Sequence, residues 1–278
     1  MSENCTHNCE TCTANCASRQ GGSAAPTFAV PKETTKIKKT IAVMSGKGGV
    51  GKSMVSATLA TQLAKQGYKV AILDADITGP SIPKLFGLRG NPAGDDQGIF
   101  PFESEQLGIK MMSTNFLLER ETQPVVWRGP VISGMVQQFY TEVYWEDVDY
   151  MIVDMPPGTG DVSITLFQSL PIDGIIIVTS PQELVSMIVA KAVNMANMVD
   201  KPVLGLVENM SYFECPDCGK KIEVFGESHT LEIASSFGLP LLARVPIQPE
   251  IAKKSDEGKI EEIDASWLDD AITMIKLI

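Results

Sequence analysis

The chain has 278 residues, 44% of them hydrophobic, enough to bury one sizeable core. Its formal net charge of −11 argues against the phosphate backbone of a nucleic acid as partner, because that calls for basic patches. No apolar run reaches the ~20 residues of a membrane-spanning helix, and the polar opening lacks the apolar centre of a secretory signal, so no membrane partner and a reducing, cytoplasmic setting are expected.

The opening stretch NCTHNCETCTANC places Cys5, Cys9, Cys12 and Cys16 at the spacing C-x3-C-x2-C-x3-C, and only two further cysteines follow. In a reducing compartment such clustering points to metal or redox chemistry rather than to disulfides. Four thiolates in a flexible segment can wrap one iron–sulfur cluster or one zinc. His7 lies in the same run, although a lone histidine in a polar tail is usually solvated. Residues 1–36, rich in Ser, Thr, Ala, Asn and Gly, read as a flexible Cys-rich tail that cannot bury enough apolar surface to fold alone. Its basic run, Lys32 to Lys39, reads as a solvated lead-in.

The pattern changes at Ile37. The runs TIAVMSG (40–46), KVAILDAD (69–76), YMIVD (150–154), GIIIVTS (174–180) and PVLGLVEN (202–209) suit strands buried on both faces of a parallel sheet. Helical patterns, such as 52–66 and 182–199, lie between them. Residues 37–278 are therefore expected to form one α/β domain, an open, mostly parallel sheet flanked by helices.

After the first strand comes GKGGVGKS, which matches G-x-x-x-x-G-K-[ST] and is the signature of a P-loop NTPase. Gly46, Gly48, Gly49, Val50 and Gly51 would let backbone N–H groups curl around phosphate oxygens, and the next helix would add its positive N-terminus. Lys52 would supply a cation to the terminal phosphates of ATP, and the Ser53 hydroxyl would ligate Mg²⁺. Lys47 is a second lysine that a generic phosphate loop does not require. Asp74 and Asp76 end the second strand, and Asp154, followed by Pro/Gly and Asp161, ends another. In an open α/β sheet these strand ends converge on one crevice. Asp154 fits a magnesium ligand acting through water, Asp76 fits the group that orients attacking water, and Asp161 fits a helix cap.

FECPDCGKK carries Cys215 and Cys218 as C-x-x-C, a spacing that lets two thiolates face one metal. Two ligands do not complete a tetrahedral or four-iron site. A second copy of the chain could supply another pair across a two-fold axis, the amino-terminal cysteines could fold over, or the pair could be a redox dithiol. CPDCGK also looks like half of a zinc ribbon. At the carboxyl terminus, Trp267, Leu268, Ala271, Ile272, Ile275 and Ile278 share one helical face while Asp269 and Asp270 occupy the polar side. A helix that targets membranes would be basic there, so this one is expected to pack on the core.

Taken together, SGKGGVGKS, DADITGPSIPKLFG, VVWRGP, YMIVDMPPGTGD, GLVENMSYFECPDCGK and RVPIQPEI resemble the Mrp/ApbC and Nbp-type iron–sulfur cluster carriers. These belong to the deviant Walker A ATPases, with the Min and Par proteins, the arsenite pump ATPase and the nitrogenase iron protein. The resemblance runs from about residue 37 to residue 278. It implies a homodimer in which Lys47 reaches the phosphates of the partner subunit. Asn209 would contact the adenine, and a loop around Pro246 and Ile247 would close over the base. Asp76 would lie in switch I, and Asp154 to Asp161 would span switch II. The resemblance also implies a 4Fe–4S cluster bridged by Cys215 and Cys218 of two subunits, ATP hydrolysis coupled to its transfer, and apo iron–sulfur proteins as clients. The Nbp-type branch has an amino-terminal four-cysteine cluster site with wider outer spacings than Cys5 to Cys16. The alternative functions within the group are a Min/Par-type positioning ATPase and an ATP-gated electron donor like the nitrogenase iron protein.

Overall fold

A computed structural model describes residues 28–76, 79, 81–117, 129–181 and 185–278. The expected metal site at Cys5, Cys9, Cys12 and Cys16 lies outside these residues. In chain order the strands are β1 (Lys36–Ser45), β2 (Val70–Asp74), β3 (Gly94–Asp95), β4 (Gly98–Ile99), β5 (Phe102–Glu103), β6 (Lys110–Ser113), β7 (Asp147–Asp154), β8 (Gly174–Thr179), β9 (Val203–Glu214), β10 (Lys221–Ile222) and β11 (Leu241–Ile247). The helices are α1 (Lys52–Lys65), α2 (Ile82–Leu85), α3 (Gly129–Glu142), α4 (Asp161–Ser169), α5 (Val185–Met198), α6 (Thr230–Ser236), α7 (Pro249–Asp256) and α8 (Asp269–Lys276).

The main sheet runs β10-β9-β8-β1-β7-β2-β6-β5, with β11 on the other edge of β9. Its central pairs are parallel, and only the short β10 and β5 run antiparallel to their neighbours. The reason is visible in the strands: every residue of β2 and β8 is buried, as expected where helices cover both faces of a parallel sheet. Helix α1 packs across β7 and β2, and its buried side is rich in small residues, among them Ser56, Ala57, Ala60 and Thr61. The expected core-packing helix at the carboxyl terminus is α8, which buries Ala271, Ile272 and Ile275 against β11 and β9.

Two boundaries differ from the sequence expectation. Residues 28–35, placed in the tail by composition, are tied to the domain. Ala29 N–H donates to Ser169 O at 2.8 Å, the Lys201 ammonium lies 4.6 Å from the centre of the Phe28 ring, and Thr35 is buried. Strand β9 continues to Glu214 rather than ending at 209, because β11 pairs with it as far as Phe213.

Candidate nucleotide site and cysteine hairpin

Strand β1 delivers Ser45 and then the glycine loop. The Ser45 hydroxyl donates to Lys47 O at 2.9 Å and ties the loop to the strand end. Gly51 is the residue before α1 and adopts φ 81°, a left-handed conformation that favours glycine. A Cβ on Gly51 would stand 2.1 Å from Asn209 Nδ2, so the turn is also closed against β9. The exposed Gly48 and Gly49, with Gly51, Lys52, Ser53, Asp76 and Pro157, line a cavity of about 450 Å³.

The strand register brings the carboxylates to the same place. Asp154 stands opposite both Val43 of β1 and Asp74 of β2. The fully buried Asp154 accepts hydrogen bonds from Ser53 Oγ at 2.6 Å and Ser56 Oγ at 2.7 Å. Lys52 Nζ lies 2.8 Å from Asp154 and 3.5 Å from Asp76. Burial pushes the Lys52 ammonium down, and the Asp154 and Asp76 charges more than reverse this, holding it above its usual value. Asp74 is also shifted upward, which for an acid favours the neutral form. Burial and the nearby Asp154 charge raise its carboxyl well above the usual range, although Ser113 Oγ donates to it at 2.9 Å. Asp161 is the first residue of α4, where its charge suits the helix N-terminus, and Gly160 precedes it as the cap.

The structure therefore assembles Lys52, Ser53, Asp76 and Asp154 as the sequence suggested. Asn209 is placed differently. It is buried, lies behind the cavity and donates from Nδ2 to Val50 O at 2.8 Å. Pro246 and Ile247 are not in a loop but end β11, opposite Tyr212 and Phe213 of β9. Main-chain pairing with β9 explains the difference. Lys47 is half-buried within the loop. Sequence reasoning missed Ser56. Its signal was its place one helical turn after Lys52, which puts it on the face turned towards β7.

Strand β9 leads straight into the cysteine hairpin, which returns through β10. Cys215 N–H donates to Lys220 O at 3.0 Å, and Gly219 N–H donates to Cys215 O at 2.9 Å. The backbone N–H groups of Asp217 and Cys218, and then the Cys218 thiol, donate to the Cys215 sulfur and hold its pKa below the usual thiol value. Cys218 is exposed. Among the described residues no group of three or more His, Cys, Asp or Glu side chains could hold a metal ion, so the hairpin offers a pair of thiols and no more. No helix among the described residues is long and apolar enough to cross a membrane.

A glycine loop between a buried parallel strand and a helix, with a lysine and a serine facing a carboxylate at the next strand end, defines a P-loop NTPase. The family model ParA, described as NUBPL iron-transfer P-loop NTPase, matches residues 36–276, and the chain belongs to that family. An "Iron-sulfur cluster carrier protein" from Clostridium perfringens is 47% identical over 88% of this chain and 89% of its own length. One from Methanococcus maripaludis is 41% identical over 93% of this chain and 90% of its own. Among solved structures, a nucleotide-binding protein from Archaeoglobus fulgidus, in complex with ADP and with Co found by PIXE, is 46% identical. It superposes with a TM-score of 0.76, covering 84% of this chain and 91% of that one. MinD in the MinC:MinD complex of Aquifex aeolicus, at 20% identity and a TM-score of 0.60, shares the fold.

Proposed function

We propose that this chain is an ATP-hydrolysing carrier of iron–sulfur clusters that works as a cytoplasmic homodimer and delivers its cargo to apo-proteins. The observation that carries this reading is the course of β9. One strand touches the phosphate loop through Asn209 and ends at the Cys215/Cys218 hairpin, so a nucleotide site and a thiol pair share one element. The cargo, a 4Fe–4S cluster, needs four ligands, and two copies of the chain each bring two thiolates. The proteins named as cluster carriers and matched over most of this chain support the same reading.

Within the phosphate loop the backbone N–H groups of Gly48 to Ser53 would receive the phosphates of ATP, and Lys52 would exchange its carboxylate partners for the terminal phosphate. The hydroxyl of Ser53 and the carboxylate of Asp154, 2.6 Å apart, form a hard oxygen pair that suits Mg²⁺. When bound, the ion neutralises phosphate charge. Asp76 would orient the attacking water. Lys47 would act on the nucleotide of the partner subunit. Asn209, Pro246 and Ile247 would border the base once Asn209 releases Val50 O. The amino-terminal residues Cys5, Cys9, Cys12 and Cys16 would hold a second metal centre on their own, iron–sulfur ahead of zinc. A positioning ATPase of the Min type would need a contact surface for membrane or DNA, and the acidic first turn of α8, at Asp269 and Asp270, does not provide one.

Anaerobic reconstitution tests the reading. Iron, sulfide and zinc are counted per chain in the parent protein and in the Cys215→Ser/Cys218→Ser double variant, and delivery to an apo 4Fe–4S enzyme is assayed. The variant should lose delivery while still binding ATP. Unimpaired delivery overturns the assignment, and zinc held tightly at the hairpin favours a structural ribbon. Dimer action is tested by mixing Lys47→Ala with Asp76→Ala subunits, where recovered ATP hydrolysis in verified heterodimers shows a composite site.

A further inference from the structure

Strand β9 is irregular between its two functional ends. Arg244 of β11 pairs with Glu208, yet Pro246 pairs with Tyr212, so Asn209, Met210 and Ser211 stand opposite Val245 alone. Met210 has φ 57°, a left-handed conformation outside glycine that persists only where its surroundings hold it. A bulge of this kind bends a strand and re-aims side chains. Here it aims Asn209 at Val50 O on one side.

On the other side a charged cluster pins the bulge. The fully buried Glu208 carboxylate accepts hydrogen bonds from the hydroxyls of Ser211 and Ser228 and lies 3.3 Å from Arg244 Nε. Arg244 Nε also donates to Ser211 Oγ at 2.7 Å. The far end of the guanidinium, Nη2, donates to Glu223 Oε1 at 2.6 Å. Glu223 directly follows β10, the return strand of the cysteine hairpin. Arg244 therefore grips the bulge with one nitrogen and the hairpin with another.

We infer that Arg244 is a positioning residue that transmits the state of the phosphate loop to the cysteine hairpin. The inference rests on the carrier reading for what the two ends bind. A nucleotide that draws Asn209 away from Val50 O must shift the bulge. Glu208 and Ser211 move with it, and Arg244 carries the shift to Glu223 and so to β10. Coupling between binding equilibria is reciprocal, so a ligand held by the thiols must alter nucleotide affinity by the same factor as the nucleotide alters the ligand's.

The test uses the full chain in reducing buffer. Alkylation of Cys215 and Cys218 by iodoacetamide is followed peptide by peptide, with and without Mg²⁺ and a slowly hydrolysed ATP analogue. Affinity for that analogue is measured by calorimetry in the same samples. In the parent protein the nucleotide should change the alkylation rate about fivefold or more, the lower end of typical coupling. In Arg244→Gln the ratio should fall to about one while the analogue still binds, and this variant also removes the cation beside the buried Glu208, so a second variant isolates the link. Glu223→Gln is a surface change that leaves Glu208 buried and paired with Arg244, and it should reduce the ratio in the same direction. An unchanged ratio in both variants overturns the inference, as does a parent protein that binds the nucleotide with no response at its thiols. A parent protein that does not bind the nucleotide overturns the carrier reading itself.

Discussion

Lys52 and Asp154 face each other across the foot of the phosphate loop at 2.8 Å, with the carboxylate fully buried and held by two serine hydroxyls. Before any phosphate arrives, the lysine compensates acids already in the site. Loss of one partner of a buried pair leaves an uncompensated charge, which costs about 3–5 kcal/mol. Lys52→Ala should therefore show two separate defects. Turnover should be abolished, since phosphoryl transfer relies on positioned charge, and the nucleotide-free protein should lose ~3 kcal/mol in urea unfolding. Parent-level hydrolysis would remove Lys52 from the catalytic assignment, and undiminished stability would mean that Asp154 finds its compensation elsewhere.

Ser56 gives a finer probe of the same carboxylate. Its hydroxyl donates to Asp154 Oδ1 at 2.7 Å and also to Lys52 O at 3.0 Å. Loss of a partner that orients a metal-ligating group costs ~10–100-fold in metal affinity. Ser56→Ala should raise the Mg²⁺ concentration needed for ATP binding by about tenfold and leave Mg²⁺-free ADP binding near the parent value. Equal loss with and without the ion would show that Ser56 supports the helix rather than the metal ligand.

Gly51→Ala should abolish nucleotide binding. The position has φ 81°, and the added methyl would meet the Asn209 amide at 2.1 Å. Either the loop or β9 must shift. A Gly67→Ala control has φ 89° but no atom within 4 Å of the new Cβ, so it pays the backbone cost alone. Strain at such a site is on the order of 1 kcal/mol. Comparable ATP affinities in the two variants would count against the Asn209 contact as the cause.

Glu208 makes stability pH-dependent. Burial pushes its carboxyl up, and the hydroxyls of Ser211 and Ser228 with the Arg244 cation more than offset this, so it lies below the usual glutamate value. A depressed folded pKa means that the unfolded chain binds the proton more readily. The stabilisation is thus present above the ordinary glutamate range and is lost as pH falls through the lower, folded value. Glu208→Gln should cost on the order of 2 kcal/mol at neutral pH, with the gap to the parent narrowing towards acid. Unfolding curves at a series of pH values measure the gap, and a constant gap would locate the effect in packing rather than ionisation.

The phosphate site was legible because its chemistry is local. Gly46 to Ser53 follow one another in the chain, and strand ends announce Asp76 and Asp154 through buried runs closed by a carboxylate. The same logic found β1, β2, β7 and β8. It failed where pairing is non-local. Nothing in MSYFE says that β9 continues, since that depends on β11 reaching it from more than thirty residues away. The small strands β3 to β6 have no hydrophobic period to read. Glu208 and Arg244 carry no signal in the sequence, because their meaning arises only when a bulge brings Ser211 to them. The loop around Pro246 and Ile247 was an implication of the family resemblance, whereas β11 is an edge strand whose register shifts just before that proline, a place where proline is tolerated.

The chain enters the domain beside Lys201 and Ser169, at the amino ends of the strands, whereas the hairpin thiols lie beyond the carboxyl end of β9. From Cys16 to Phe28 a polypeptide can span at most ~40 Å. Strand β9, with its 12 residues, is itself ~35–40 Å long. Tether and strand are thus matched in length. If the amino-terminal cysteines hold metal as proposed, passing it to the hairpin of the same chain needs residues 17–27 almost fully extended, and shortening that segment should close this route.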